Sequence, residues 1–345
     1  MFGTRLILGE PRNAIQQWFI DEIIAPSSEV TLVNEAIKRL PSDPSARMRD
    51  EYLAIGRALR ETGEEFAIVN RSHFAQMSWK YGDFVRDVIA LSKQSLDWPP
   101  WEKSSERRSF PRDALVDFGN LCLLDHVAFR SCDMRANGSR IITSEIGGGG
   151  KILFRRGKAL IAEMTEVSVD SYVCSQTRIG PILELGTQVA ILPNPVMIHW
   201  RRDKAESKGG FWVDHLDREM TLIEDVAGNL HLLIDSKYQG YDHEGNCPAS
   251  RRATLDLIHK ACEPLEIEVH TVGTQAPYAL NLVQTPTNKV IMTSGDEDVE
   301  GLVRDLVGDN VITTEIPIEA LPVFVRGGIH CLVGEFPKYL SVSTL

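Results

Sequence analysis

The chain has 345 residues, 43% of them hydrophobic and 25% charged, the balance of a sequence that buries a core and not of one that stays disordered. Its net charge of -11 excludes broad binding to a phosphate backbone and gives a weakly attractive field for cations. Apolar runs fall short of the roughly 18–20 residues a membrane span requires, and Met1 to Pro11 lacks a basic stretch followed by an apolar one. A cytoplasmic protein that binds neither nucleic acid nor membrane is therefore expected.

In chain order, Asp43 and Pro44 read as N-cap and first helical residue. Met48, Tyr52, Ile55 and Leu59 follow at helical spacing until Gly63, which predicts a helix over 44–62, then a strand from Glu65 to Val69. Next, pairs of short apolar runs recur about tight polar turns: Ala114 to Val127 about Gly119-Asn120, Ile152 to Ala162 about Arg156-Gly157-Lys158, and Met220 to Ile234 near Gly228-Asn229. Leu280 to Met292 turns at Thr285 to Asn288, followed by a helix from about Asp298 to Val307 that ends at Gly308 and a strand from Val311 to Ile318. A last example begins at Gly328 and runs through Val333. Hairpins alternating with helices predict an α/β fold of repeated ββαβ units packed around an axis; an irregular α+β protein is the competing reading. No Gly/Ser or Pro-rich linker divides the chain, so a single domain over 1–345 is expected.

Six cysteines (Cys122, Cys132, Cys174, Cys247, Cys262 and Cys331) form no Cys-x-x-Cys pair, which points to reduced thiols. Cys331 stands out, because Gly327-Gly328-Ile329-His330 delivers it from a Gly-Gly turn. Far upstream lie His215-Leu216-Asp217 and Phe110-Pro111-Arg112-Asp113. Each alone has a plain reading: a buried thiol at a turn, a satisfied polar pair, an aspartate capping a turn beside Arg112. Together they are the parts needed to attack a guanidinium carbon. That carbon resists a nucleophile until carboxylates localise its charge in bidentate clamps, and the bound cation helps a thiol ionise. Asp113 and Asp217 are the candidate clamp and Cys331 the candidate nucleophile. His215, two residues before Asp217 and so on the same face of an extended strand, is the candidate acid and base.

These motifs resemble those of the amidinotransferase and arginine deiminase superfamily, whose fold is the five-bladed α/β propeller called pentein, with pseudo-fivefold symmetry. Phe110 to Asn120, with Ala128-Phe129-Arg130 after it, is similar to the Pro-Arg-Asp segment of the amidinotransferases. Val213 to Asp217 is similar to the family's His-x-Asp and Gly327 to Cys331 to its Gly-Gly-x-His-Cys turn. The resemblance implies Cys331 as nucleophile, His215 as general acid/base and Asp113 and Asp217 as guanidinium ligands, with Arg112 beside them in the substrate pocket. One feature departs from it. Where these enzymes carry a short acidic motif whose first carboxylate orients the histidine, this chain has Glu145-Ile146-Gly147-Gly148-Gly149-Gly150-Lys151, with Gly148 at the place of the first acid and Lys151 at the second. Either Glu145 reaches in through an altered loop, or the histidine lacks its usual partner.

Rival sites are weaker. Gly147 to Lys151 fails as a phosphate loop, which would need a glycine at Glu145 and a hydroxyl at Ile152. His199 or His243 with His215 and Asp217 has no metal-ligand spacing, and neither metal nor organic cofactor is implied. Trp98-Pro99-Pro100-Trp101 reads as a stiff loop over core, and Arg201 to Gly210 as a solvated loop or a lid hinged at Gly209-Gly210. The expectation is a cysteine-dependent amidinotransferase with arginine or a close analogue as donor and an amine as acceptor. A deiminase or dihydrolase is the alternative, a non-catalytic binding protein the further one, and a homodimer is left open.

Overall fold

The computed structural model describes residues 4–10, 38–40, 44–69, 78–96, 110–125, 133–136, 138–144, 149–162, 180–193, 197–199, 210–212, 215–238, 240, 250–325 and 327–337. The chain opens on strand β1 (Thr4–Leu8), followed by helix α1 (Ser45–Glu61), β2 (Phe66–Val69), helix α2 (Ser78–Leu91) and β3 (Gln94–Leu96). Then come β4 (Leu115–Asp117), β5 (Leu121–Asp125), β6 (Asp133–Ala136), β7 (Ser139–Ser144), β8 (Ile152–Arg155), β9 (Lys158–Ala162), α3 (Gly180–Glu184) and β10 (Gln188–Leu192). The middle holds β11 (Met197–His199), β12 (Gly210–Trp212), β13 (Met220–Glu224), β14 (Leu230–Asp235), α4 (Arg251–Cys262) and β15 (Ile267–Val272). The rest is β16 (Val283–Gln284), β17 (Val290–Met292), α5 (Glu297–Val307), β18 (Val311–Thr313), α6 (Ala320–Val325) and β19 (Val333–Pro337).

The architecture is α/β, with small, open, mixed sheets of two to four strands. Five of them follow one plan: an edge strand pairs antiparallel with the next strand, which pairs parallel with a third. The five are β4-β5-β7, β8-β9-β10, β13-β14-β15, β16-β17-β18 and β19-β1-β2. A parallel return needs a crossover, supplied by α1, α3, α4 and α5 in four of the five. β11 and β12 form a separate antiparallel pair.

The helix expected over 44–62 runs Ser45–Glu61, and the hairpins about Gly119, Gly157, Gly228 and Asn288 are present. The loop between β8 and β9 shows why: Arg156 and Gly157 both take positive φ (47° and 73°), the twist-matched two-residue turn that joins adjacent antiparallel strands. Two expectations are corrected. The strand from Val311 stops at Thr313, because Thr314 turns back with its hydroxyl donating to the Ile316 carbonyl (2.7 Å) before Pro317. The segment from Gly328 is not a hairpin: Ile329–Leu332 is a helical turn, and β19 pairs antiparallel with β1 at the other end of the chain.

That pairing shapes the core beneath the site. Tyr52, Ile55 and Leu59 of α1 pack with Leu6, Leu8, Ile68, Leu321, Cys331 and Leu332, and each large side chain buried this way contributes about 1.5–3 kcal/mol. Tyr52 donates its hydroxyl to the Gly9 carbonyl (2.9 Å). Glu51, fully buried, accepts from the backbone N–H groups of Glu319 (3.0 Å), Ala320 (2.9 Å) and Leu321 (2.9 Å) at the start of α6 and from Arg47 (2.9 Å). Glu51→Ala strands those donors in the core and is expected to cost about 3 kcal/mol in urea denaturation. Arg57→Ala, which removes an exposed pair with Glu315 (2.6 Å), is expected to cost under about 1 kcal/mol.

Candidate active site

Each of the five units enters its edge strand through a short turn. Pro111–Ala114 precedes β4, Gly149–Lys151 precedes β8, Leu216–Arg218 precedes β13 and Ile329–Leu332 precedes β19. Before β16, Ala279 N–H donates to the Ala276 carbonyl and Asn281 N–H to that of Tyr278. Pro111–Ala114 touches Ile329–Leu332 and Gly149–Lys151, which in turn touches Leu216–Arg218. Residues on or just before the five edge strands line one small cavity, among them Arg112, Phe154, Thr221, Gln284, His330 and Glu335.

Asp217 is at the junction of the turns, 1% exposed. Its Oδ2 lies 2.7 Å from His330 Nδ1 and accepts from the Cys331 thiol at 3.4 Å. His215 Nδ1 lies 3.9 Å from Oδ1, which has no hydrogen-bond partner among the described residues. Burial works against a charge on Asp217. The hydrogen bond and charge of His330, the charge of His215 and the thiol hydrogen bond outweigh it and hold the carboxyl well below the ordinary carboxylate range. Burial and the Arg112 cation lower His330 in turn, and its Nδ1–H donates to the carboxylate.

Cys331 is 3% exposed, and its sulfur accepts from Asn281 Nδ2 at 3.3 Å. Asn281 holds the whole turn. Nδ2 also donates to the Asp217 carbonyl (2.7 Å), and Oδ1 accepts from His330 N (2.9 Å) and Cys331 N (3.4 Å). This explains the Gly-Gly pair. A Cβ on Gly328 would lie 2.5 Å from Asn281 Oδ1, and one on Gly327 would lie 2.2 Å from the Phe110 ring, so both glycines serve close approach.

Of the residues singled out in the sequence, Cys331, Asp217 and His215 are brought together. The route differs from expectation, because His215 and Asp217 do not share a strand: His215 is extended (φ -84°, ψ 100°) and Asp217 lies in the following 3₁₀ turn. Arg112 is 9% exposed and lines the cavity. Asp113 lies in the turn Pro111–Ala114, which packs on the turn of Cys331. Glu145, Trp98 to Trp101 and most of Arg201 to Gly210 lie outside the described residues. The glycine run forms a 3₁₀ turn over Gly149–Lys151, and Gly150 is the residue against the histidine: a Cβ there would lie 2.5 Å from His215 Nδ1 and 2.8 Å from Asp217 Oδ1. Asn281 was missed by sequence reasoning. Its signal was positional, two residues before an edge strand as are Cys331 and Asp113.

No protein-family model matches the sequence, and no curated protein matches it. Among solved structures, C. jejuni agmatine deiminase aligns over 98% of this chain and 95% of its own, at 12% identity and a TM-score of 0.52. The agmatine deiminase of Enterococcus faecalis aligns over 98% and 93%, again at 12% identity and a TM-score of 0.52. A DDAH from Pseudomonas aeruginosa, solved with citrulline, aligns over 97% and 100% at 13% identity and a TM-score of 0.49. The chain thus has the fold of the agmatine deiminases. The superfamily resemblance read from its three motifs is met at the level of fold.

Gly328→Ala is expected to destabilise the protein by about 1–3 kcal/mol, because Asn281 must move off the turn. In contrast, Gly301→Ala, on the open face of α5 with nothing within 4 Å, is expected to stabilise it by about 0.5–1 kcal/mol. Thermal unfolding of the two variants beside the wild type checks both signs.

Proposed function

We propose that the protein is a cysteine-dependent enzyme acting on a guanidino group, with water resolving a covalent adduct on Cys331. The observation that carries this is the Cys331 sulfur 3.4 Å from the buried Asp217 carboxylate, with His215 against the carboxylate's other oxygen. In this reading Asp217 Oδ1, together with Asp113, takes guanidinium N–H groups and replaces the hydration lost on burial. The bound cation and the Asn281 N–H favour the thiolate, and the thiol proton passes to His215, making the imidazolium that the next step uses. Sulfur attacks the guanidinium carbon and a C–N bond breaks. The leaving nitrogen takes a proton from His215, and an amidino-type thioether remains on Cys331. His215 then takes a proton from water as its oxygen bonds to the same carbon, and the C–S bond breaks to return the thiolate. Arg112 lines the cavity behind, and Glu145 is the remaining candidate to orient His215.

Hydrolysis is preferred to transfer because the fold is that of enzymes named as agmatine deiminases. The Pro111-Arg112-Asp113 segment, similar to that of the amidinotransferases, is what favours transfer to an amine. We further read the five units as a closed five-bladed ring, supported by their common strand plan and by five edge strands meeting one cavity. Gly150 beside His215 favours the second reading, a protein that binds without turnover, since a histidine with no dedicated carboxylate is poorly oriented.

Incubation with agmatine or arginine, with and without an amine acceptor, separates the readings. Ammonia and a ureido product without acceptor are expected. The free amine of the donor appearing only with acceptor would mean transfer, and no product in either case would leave binding. Cys331→Ser should lower turnover at least about a thousandfold and His215→Ala about 10²–10⁴-fold. A haloacetamidine should label Cys331 ahead of Cys262, whose thiol burial pushes up to about 12.

A further inference from the structure

At the end of the β13–β14 hairpin remote from Asp217, β14 and β15 carry a cluster that the proposed chemistry does not use. The strands run parallel with His231 opposite Glu268, and His270 lies two residues further along β15. Strand alternation therefore sets all three on one face. Among the described residues this is the one grouping whose metal-ligating atoms converge, all within 4.8 Å of one another. His231 Nδ1 lies 2.9 Å from His270 Nε2 and 3.6 Å from Glu268 Oε2, and His270 Nε2 lies 3.6 Å from Glu268 Oε1.

Behind the cluster, Asp225 Oδ2 lies 3.1 Å from His231 Nε2. The hairpin turn fixes this carboxylate, which accepts from Asn229 N (2.7 Å), Ala227 N (2.9 Å) and Asn229 Nδ2 (2.9 Å). A carboxylate on Nε2 keeps the ring proton there and leaves the Nδ1 lone pair pointing at His270 and Glu268, the arrangement that prepares an imidazole to ligate. The plain alternative is a hydrogen-bonded histidine pair with an acid at its edge. Three converging lone-pair donors backed by a carboxylate fit a cation better.

We propose that His231, His270 and Glu268 form a binding site for a divalent transition-metal ion of the zinc class, with Asp225 as the positioning residue. Two imidazoles with one carboxylate suit zinc and exclude a preference for calcium or magnesium, which take oxygen ligands. Zinc bonds of about 2.0–2.1 Å at tetrahedral angles put ligand atoms about 3.4 Å apart, so the 2.9 Å histidine contact opens slightly and the Glu268 carboxylate, whose two oxygens each lie 3.6 Å from one histidine, turns to bring a single oxygen to both. Three protein ligands leave a fourth position for water. Glu268, 67% exposed beside a 24% exposed His270, gives the ion a way in from solvent. Bound there, the ion ties β15 to the hairpin independently of Cys331.

Full-length protein freed of metal by a chelator, then titrated with Zn²⁺ against a chromophoric chelator and with Co²⁺ by visible absorption, tests the site. One equivalent is expected to bind with a Kd in the micromolar range or below, with a tetrahedral Co²⁺ spectrum. Glu268→Gln and His270→Ala, at partly exposed positions the fold tolerates, should each weaken binding by about a hundredfold or more. Asp225→Asn should weaken it about 10–100-fold while keeping the spectrum, and Cys331→Ser should leave it unchanged. Absence of saturable binding overturns the proposal. So does binding unaffected by Glu268→Gln and His270→Ala, or lost in Cys331→Ser, which would place the ion at the thiol.

Discussion

A carboxylate taken almost wholly out of water needs partners in the protein, and Asp217 is the group on which the site is organised. The penalty for an isolated buried charge is several kcal/mol. Here it is offset by a donor from the imidazole of His330, by the thiol of Cys331 and by the nearby ring of His215. The backbone of the same residue is held as well, because Asn281 donates to the Asp217 carbonyl while its side-chain oxygen accepts the N–H groups of His330 and Cys331. Three units of the chain are therefore locked through one acid and one amide. The glycine before the cysteine turn follows from that lock, since any side chain at Gly328 would occupy the place of Asn281 Oδ1.

The scaffold explains how residues more than a hundred positions apart come to one point. Each unit sends its chain through a short turn into an edge strand, and the edge strands face a common cavity, so Asp217, Asn281 and Cys331, each two or three places before its strand, meet in one region. Chemistry can then be divided among units without any one of them forming a pocket. The last unit is made from both ends of the sequence, with β19 supplying the edge strand and β1 its antiparallel partner. Pairing of the ends thus positions Cys331, and α1 and α6, tied together by Glu51, cover the back of that sheet.

What was legible in the sequence was local. The helix through Tyr52 and Ile55 has an apolar face at helical period, and the hairpins about Gly119 and Gly157 have turn residues that tolerate positive φ, so both were read correctly. The His-x-Asp was misread as a strand because period-2 reasoning holds only if the backbone is extended, and there it coils into a 3₁₀ turn. Segment 328–333 was misread for a related reason: its β partner is at the far end of the chain, and its first residues are needed as a turn. Nor could spacing reveal His231 and His270, which are 39 residues apart and become neighbours through parallel pairing of their strands.

The environment of His215 bears most directly on what the site can do. A catalytic imidazole is oriented when a carboxylate fixes the tautomer and rotamer of its ring. Gly150 stands against the ring, and even a Cβ there would press on Nδ1, so the turn before β8 brings bare backbone to the imidazole. Asp217 is the carboxylate His215 approaches, and 3.9 Å is beyond hydrogen-bonding distance while Oδ2 is already taken by His330. One acid thus faces two imidazoles and a thiol. Its Oδ1, with no hydrogen-bond partner among the described residues, is the oxygen left for His215 or for a bound donor. If Oδ1 turns away from His215, the ring is left with bare backbone beside it, so the orientation of the imidazole and the pairing of the carboxylate compete for one oxygen.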